Sequence, residues 1–463
     1  MKKVLCLLAG LSLVFCMTAC HEEVPASEKT VSAEETPDIT TENNSSNDTV
    51  VSPGTTLFWE TVIAPVQYKM DWTVEGTTET YVQELTKPAY QGRAGGSEGS
   101  RAAADWLAEQ FSRIGLQQLP TLGSWKQSYQ TNVTSVFPGE AFIVSPDGQE
   151  TELKLGEDWI FRASPDIVEL TAPLSTDSTL YSDGMAIWDA KADPKNANRK
   201  LCLTSGDVSK GISYTNASGN PSRILVTDAV YEQLKTEGCQ LHLRLPDAVD
   251  EEGSADNVVG FLPGKDHTKA VVLGANFDGP GQCGPLLMPG AYNNASGVAT
   301  LIQTAAWLAQ SDELPCDVIF AAFNTEDNRK NGSAALSDHI EEQYTQIRMV
   351  NLKCIGWKGQ PITVYGVNSE AALRSSLAGG LGLQYADRDI GSDEKAFYKE
   401  TMSSVLLFQD ACLSDSNITA TLNTIYDTVD NLDFAILDDL AKNLAAWVIE
   451  RGDEPLTAYV VYW

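Results

Sequence analysis

The sequence predicts an α/β fold: a mixed, largely parallel central sheet flanked by helices and interrupted by a mostly β insert. Three observations predict it. From Asp256 onward, short β-branched runs alternate with apolar-periodic segments of helical length. Polar residues gather just after the strand-like runs, where the carboxyl ends of parallel strands line a site. Between Gln130 and Asp250 the alternation lapses into short β-prone runs separated by turn-rich stretches.

In chain order, Lys2 and Lys3 precede the apolar run Val4 to Met17, which is too short to span a bilayer comfortably and reads as a targeting segment. It ends in Met17-Thr18-Ala19-Cys20, which resembles a bacterial lipobox, so residues 1–19 are expected to be removed and Cys20 lipidated. Residues 20–56 are expected to be a disordered tether, because His21 to Thr56 holds eight acidic residues against one Lys and too little apolar surface to fold. Residues 57–130 should form the N-terminal part of the main domain, with a short helix over Glu75 to Leu85. A clear amphipathic helix follows over Ser100 to Ile114, stopped by Gly115. Gly95 to Gly99 fits GxSxG, but no strand precedes it, so it is not a nucleophile elbow.

Residues 131–250 are assigned to the β-rich insert, with strands over Val133 to Phe137, Ala141 to Val144, Met185 to Trp188, Leu201 to Leu203, Arg223 to Thr227 and Gln240 to Leu245. Asp228 to Glu237 is its expected helix. Residues 251–463 should complete the α/β domain. Expected strands are Val258 to Leu262, Ala270 to Ala275, Cys316 to Phe323, Met349 to Gly356, Ile362 to Gly366 and Ser404 to Phe408. Expected helices are Ser296 to Gln310, Gly332 to Gln343, Ser369 to Leu377 and Asp433 to Arg451.

The net charge of −31 argues against a nucleic-acid partner, which requires a basic footprint. Past the leader, the six cysteines are widely spaced and contain no CxxC, so no thiolate metal centre or redox motif is indicated. Export permits a disulfide, but spacing does not fix a pairing. Cys316 and Cys354 read as core residues.

Several motifs occur in a telling order: Gln91-Gly92-Arg93, Asn257-Val258-Val259-Gly260, Pro289-Gly290-Ala291, and Asn294-Ala295-Ser296-Gly297. Glu326-Asp327 with Gly332-Ser333, Asn351-Leu352 with Gly356, and Asp427-Thr428 with Asp430 continue it. This order resembles the di-zinc aminopeptidases, metallopeptidase family M-28, over nearly the whole mature chain. The resemblance implies a zinc-exopeptidase-like fold, a protease-associated-like insert, and two zinc ions sharing a carboxylate beside a glutamate base.

Carried over by position, the resemblance implies that most of that chemistry has gone. Asn276 stands at the first His ligand, Asn293 at the bridging Asp, Lys353 at an Asp ligand and Asn423 at the second His. Asp327 replaces a Glu ligand, and Glu326 keeps the general-base position. Neutral amides bind zinc poorly, and an ammonium repels it. His21, His242, His267 and His339 match no ligand position. No metal cofactor is therefore expected. Lys353 is expected to pair with Glu326 and Asp327, with Asn276, Asn293 and Asn423 bonded around them; its extension to solvent is the alternative. Asp278 is expected to turn the loop after it, Asp427 and Asp430 to cap the last helix, and Trp357, Tyr292 and Tyr426 to pack at the rim or in the core. The function implied is an exported, membrane-anchored peptidase-like lipoprotein that binds a peptide or protein ligand without hydrolysing it. The alternative is an active aminopeptidase using zinc at an atypical site. A metal-free hydrolase is disfavoured because no nucleophile–base pair is visible.

Overall fold

The main-chain scaffold is an eight-stranded mixed sheet in a computed structural model that describes residues 76–135, 138–162, 168–182, 184–196, 201–208, 222–245, 249–326 and 330–454. The expected leader, tether and Cys20 lie outside the described residues, as does Asp327. All described residues fall within one compact unit, 57–463.

The sheet strands are β1 (Lys126–Ser135), β2 (Val249–Leu262), β3 (Asp266–Asn276), β4 (Cys316–Phe323), β5 (Gln346–Leu352), β6 (Thr363–Gly366), β7 (Gln384–Asp387) and β8 (Met402–Phe408). Their spatial order is β1-β2-β4-β3-β5-β8-β6-β7. The centre, β4-β3-β5-β8, is parallel throughout. It is built from runs such as Cys316–Phe323, buried at every position, because helices cover both faces of a parallel sheet. The outer pairs β1-β2, β2-β4 and β8-β6 are antiparallel.

The helices that matter for the site are α1 (Thr78–Leu85), α2 (Glu98–Ile114), α3 (Ser296–Leu308), α4 (Asn331–Ile340), α5 (Ala371–Leu381) and α6 (Phe434–Arg451). Helix α2 is capped by Ser97, whose hydroxyl accepts from Ser100 N, and ends at Gly115 with φ 94°. Ser97, the centre of the GxSxG match, is thus a helix cap. Helix α3 is buried along its whole length, as its apolar composition requires. Asp433, rather than Asp427 or Asp430, caps α6 by accepting from Ile436 N.

Several boundaries move. Strand β1 starts at Lys126 and pairs antiparallel with β2, so the run expected to open the insert extends the main sheet as far as Ser135. Between β1 and β2 lie a four-stranded and a five-stranded sheet, including strands at Glu150–Leu153, Trp159–Arg162, Val168–Ala172 and Leu174–Ser175 that periodicity did not single out. A short helix at Ser178–Ser182 accompanies the one at Asp228–Leu234. The apolar core of these sheets takes in Cys283, Leu286 and Met288 from the loop after β3. Among the described residues no helix is long and apolar enough to cross a membrane.

Candidate functional site

The site lies at the carboxyl ends of β3, β4 and β5. Register fixes this: Asn276 at the end of β3 faces Phe323 at the end of β4, and Gly274 faces Asn351 near the end of β5. The next residues of each strand, Phe277-Asp278, Asn324 to Glu326 and Lys353-Cys354, therefore emerge along one edge.

Glu326 is the centre of a charged cluster and is 5 % exposed. Lys353 Nζ approaches Glu326 Oε2 to 2.6 Å, and Lys330 Nζ stands 3.9 Å from Oε1. The Ser392 hydroxyl donates to Oε1 at 2.9 Å. Burial opposes ionisation of Glu326, but Lys353, through charge and hydrogen bond, outweighs it with help from Lys330 and Ser392; the carboxyl is held below its ordinary range. Lys353 is thus turned inward onto Glu326, with 15 % of its side chain exposed.

Asp278 does not simply shape its own loop. Its Oδ2 accepts from Glu326 N at 2.9 Å, and its Oδ1 from Asn276 Nδ2 at 3.2 Å. The carboxylate therefore ties the β4 exit to the β3 exit, fixing where the Glu326 side chain starts.

The asparagines form two linked groups. The Asn276 carbonyl oxygen Oδ1 accepts from Asn294 Nδ2 at 3.0 Å. Asn294, fully buried, also donates to Leu352 O at 2.8 Å and accepts from Cys354 N at 3.0 Å. It stitches β3 to β5, although in the sequence it stands out only as a letter of a motif. Asn293 Nδ2 donates to Asn423 Oδ1 at 2.9 Å, and the Cys354 thiol lies 3.6 Å from Asn293 Oδ1. The Asn293–Asn294 peptide is cis.

Asp427 holds this element from the other side. Its two carboxylate oxygens accept from Tyr292 N at 2.7 Å and Asn293 N at 3.1 Å. It is fully buried, and desolvation pushes its carboxyl up to about 6 despite those two bonds and the nearby Arg93 charge. Arg93 in turn donates to the carbonyls of Phe277, Leu85, Pro289 and Gly290, at 2.8, 2.5, 2.8 and 3.0 Å. One buried guanidinium thus fixes both ends of the 277–290 loop. Gly92 before it must be glycine: its φ is 67°, and a Cβ would lie 2.2 Å from Gly281 O.

Two residues that sequence reasoning missed lie close to Glu326. Ser392 is the hydroxyl partner just described, so a nucleophile–base contact exists after all. Asp393 is fully buried, and neither carboxylate oxygen has a hydrogen-bond partner. The adjacent Ser333 hydroxyl donates instead to Lys330 O at 3.1 Å. Desolvation, reinforced by the Glu326 charge, pushes the Asp393 carboxyl well above its ordinary value. The signal for both was the pair Ser392-Asp393 in an otherwise unassigned loop.

The aromatic residues divide: Tyr292 is fully buried and meets Trp357 edge-on at 5.2 Å, whereas Tyr426 is exposed. The remaining described histidines have other partners: His242 with Glu150, His267 with Asp317 and His339 with Thr121.

Among the described residues no group of three or more His, Cys, Asp or Glu side chains is placed to hold a metal ion. The donor set does not fit a zinc pair. Asn276, Asn293 and Asn423 offer neutral amides already engaged with one another or their neighbours, and Lys353 puts an ammonium on the Glu326 carboxylate.

Residues 257–448 match the model of Peptidase family M28. No curated protein matches the chain. A zinc aminopeptidase from Bacillus subtilis is similar in structure at 15% identity, with 80% of this chain and 93% of that one covered and a TM-score of 0.56. A Peptidase M28 precursor from Shewanella amazonensis is similar at 15% identity over 80% of this chain and 91% of that one, TM-score 0.53. A putative peptidase from Clostridium acetobutylicum is similar at 13% identity over 80% and 79%, TM-score 0.50. Residues 257–448 are thus similar to Peptidase family M28, and the chain has the mixed, mostly parallel α/β architecture of zinc aminopeptidase structures.

Proposed function

We propose that this chain is a non-catalytic relative of the zinc aminopeptidases that uses the carboxyl edge of its sheet to bind a peptide or protein ligand. The observation that carries the reading is the Lys353–Glu326 ion pair at 2.6 Å. In a di-zinc hydrolase the corresponding carboxylate takes a proton from metal-activated water. Here its charge is neutralised by an ammonium, and a carboxyl held below its ordinary range is a weak base. Asn276, Asn293 and Asn423 put neutral, weakly donating amides where the resemblance places His and Asp ligands. Ser392 does not restore hydrolysis by another route: its hydroxyl is buried, and the carboxylate it faces is the one Lys353 neutralises.

Ligand recognition would fall to the half-buried Asn293, Lys353 and Asn423 at the carboxyl ends of the strands, and to the exposed Tyr426 beside them. The leader and the Cys20 context extend the proposal to a lipid-anchored protein facing outside the bacterial cytoplasm, with residues 20–56 as tether.

The test is hydrolysis of aminoacyl-amides by purified mature protein supplied with zinc, beside Glu326→Gln. The proposal expects no turnover above the blank in either. Turnover abolished by Glu326→Gln would establish the alternative, an active metal-dependent aminopeptidase with an atypical site. For the anchor, wild-type protein should sediment with membranes and Cys20→Ala should not; equal sedimentation removes the lipid-anchor claim.

A further inference from the structure

Helices α1, α2 and α3 enclose a groove of about 470 Å³. Ala306 of α3 lines it, about 15 Å along that helix from Ser296, so the groove lies well away from the asparagine side of the site. Tyr81 of α1 and Trp106 of α2 meet edge-on there with ring centroids 6.3 Å apart, and Ile114 continues the apolar wall. All three pack on the main core yet are only half-buried. Two aromatic rings and an isoleucine left open side by side are a surface that folds ordinarily cover. Arg113 stands exposed on the rim. The Glu84 carboxylate, also in the lining, is already engaged by the Tyr90 hydroxyl at 2.9 Å and by Lys87. Gly76 completes the rim: its φ is 78°, and a Cβ there would lie 2.6 Å from the Tyr81 hydroxyl oxygen, so the main chain lies against Tyr81. Thr77 caps α1 with an extended backbone, so the helix does not continue upstream through Gly76.

We propose that this groove is the docking surface for the chain's own entry segment, Asp71 to Glu75, with Trp72 and Val74 seated against Tyr81, Trp106, Ile114 and Ala306. The segment lies outside the described residues, and three observations select it as the occupant. It is joined to the rim at Gly76, so its effective concentration at the groove exceeds that of any free partner. Its pattern is strictly alternating, Asp71-Trp72-Thr73-Val74-Glu75, so in an extended chain Trp72 and Val74 share one face about 6.6 Å apart. That face offers an aromatic ring and a branched side chain to a groove walled by the same kinds of group. Asp71 and Glu75 flank the apolar pair and bring negative charge to the rim that carries the exposed Arg113.

Seated there, the entry segment braces the amino end of α1. The carboxyl end of the same helix presents Leu85 O to Arg93, which fixes the 277–290 loop. The inference goes beyond the ligand-binding reading and does not depend on it, because none of the site residues lines the groove.

The experiment uses the mature chain, residues 20–463, as wild type and as Trp72→Asp/Val74→Asp, a variant that alters no groove residue. Hydrogen exchange reads the amides of 71–75, and hydroxyl-radical footprinting reads the Tyr81 and Trp106 side chains. In the wild type those amides should exchange more slowly than in the urea-unfolded chain, to the same degree at every protein concentration. In the variant that protection should be lost and Tyr81 and Trp106 should be oxidised faster, while the fully buried Trp159 and Trp447 keep their wild-type rates. Trp106→Ala, which removes one wall of the groove, should release the 71–75 amides as well. Unprotected 71–75 amides in the wild type, or equal oxidation of Tyr81 and Trp106 with and without the segment substitutions, overturns the proposal. Protection that grows with protein concentration would assign the groove to a second copy. Faster oxidation of Tyr81 and Trp106 in a chain ending at Glu454 would assign it to the carboxyl-terminal residues, and either result also overturns the proposal. The comparison with Trp72→Asp/Val74→Asp stands even where Trp106→Ala fails to fold.

Discussion

Replacing Lys353 with Ala removes the cation from a carboxylate that is 5 % exposed. Breaking a buried ion pair from one side costs about 3–5 kcal/mol, because the remaining charge is left desolvated. Lys330 at 3.9 Å and the Ser392 hydroxyl at 2.9 Å remain, so the lower end, about 3 kcal/mol at pH 7, is expected. The pH dependence distinguishes this from lost packing. In the wild type the Glu326 carboxyl is depressed, so its contribution is fully present above the unfolded pKa and disappears as pH falls through the folded value. Without Lys353, burial dominates and raises it, so the variant should gain stability relative to wild type as pH falls from 7 toward 4. Urea unfolding of wild type, Lys353→Ala and Lys353→Ala/Glu326→Gln at both pH values measures this directly. The double variant should recover most of the loss at pH 7. A single-variant cost below about 0.5 kcal/mol, the size of an ordinary surface substitution, or no recovery on removing the Glu326 charge, refutes the charge-replacement argument.

The neighbouring groups give further expectations. Asp393→Asn should gain stability relative to wild type as pH rises from 5 to 8, because a carboxyl raised by burial loses folded-state stability as pH climbs above its unfolded pKa. Urea unfolding between pH 5 and 8 should show a flatter profile for the variant than for wild type. Arg93→Lys cannot reproduce four carbonyl bonds from one fork and should cost about 3 kcal/mol or more in the same assay; near-neutral behaviour would mean that Arg93 does not hold the 277–290 loop. Restoring the ligand set with Asn276→His, Asn293→Asp, Asp327→Glu, Lys353→Asp and Asn423→His together should confer zinc uptake, read as metal per chain after dialysis. Failure to gain metal in a folded variant would show that the scaffold itself no longer places ligands at zinc-binding distances.

Much of the architecture was legible because burial writes a strong pattern. Cys316 to Phe323 is apolar at seven of eight positions in sequence and buried at all eight in space, and its expected limits coincide with β4. The end of α2 at Gly115 was marked by cap chemistry. What was hidden depends on contacts between distant segments. Strand β1 carries little apolar signal of its own and exists because β2 offers it a pairing edge. Leu174–Ser175 is two residues long and leaves no periodicity to detect. At the site, the substitutions at Asn276, Asn293, Lys353 and Asn423 were visible from motif order. The partnerships of Asp278, Asn294, Asp427 and Ser392 were not, because each makes a contact across 48 to 135 residues of sequence: Asp278 with Glu326, Asn294 with Leu352, Asp427 with Tyr292 and Ser392 with Glu326. Asp427 illustrates the error: before a helix it resembled a cap, yet its acceptors are turned back onto Tyr292 and Asn293, and Asp433 does the capping.

The most direct test of the central claim is isothermal titration of metal-free wild-type protein with zinc at pH 7. The account predicts no saturable binding at the site, and the same trace for Glu326→Gln. Saturable uptake of one or two zinc ions per chain, lost on Glu326→Gln and enhanced by Lys353→Asp, would contradict it.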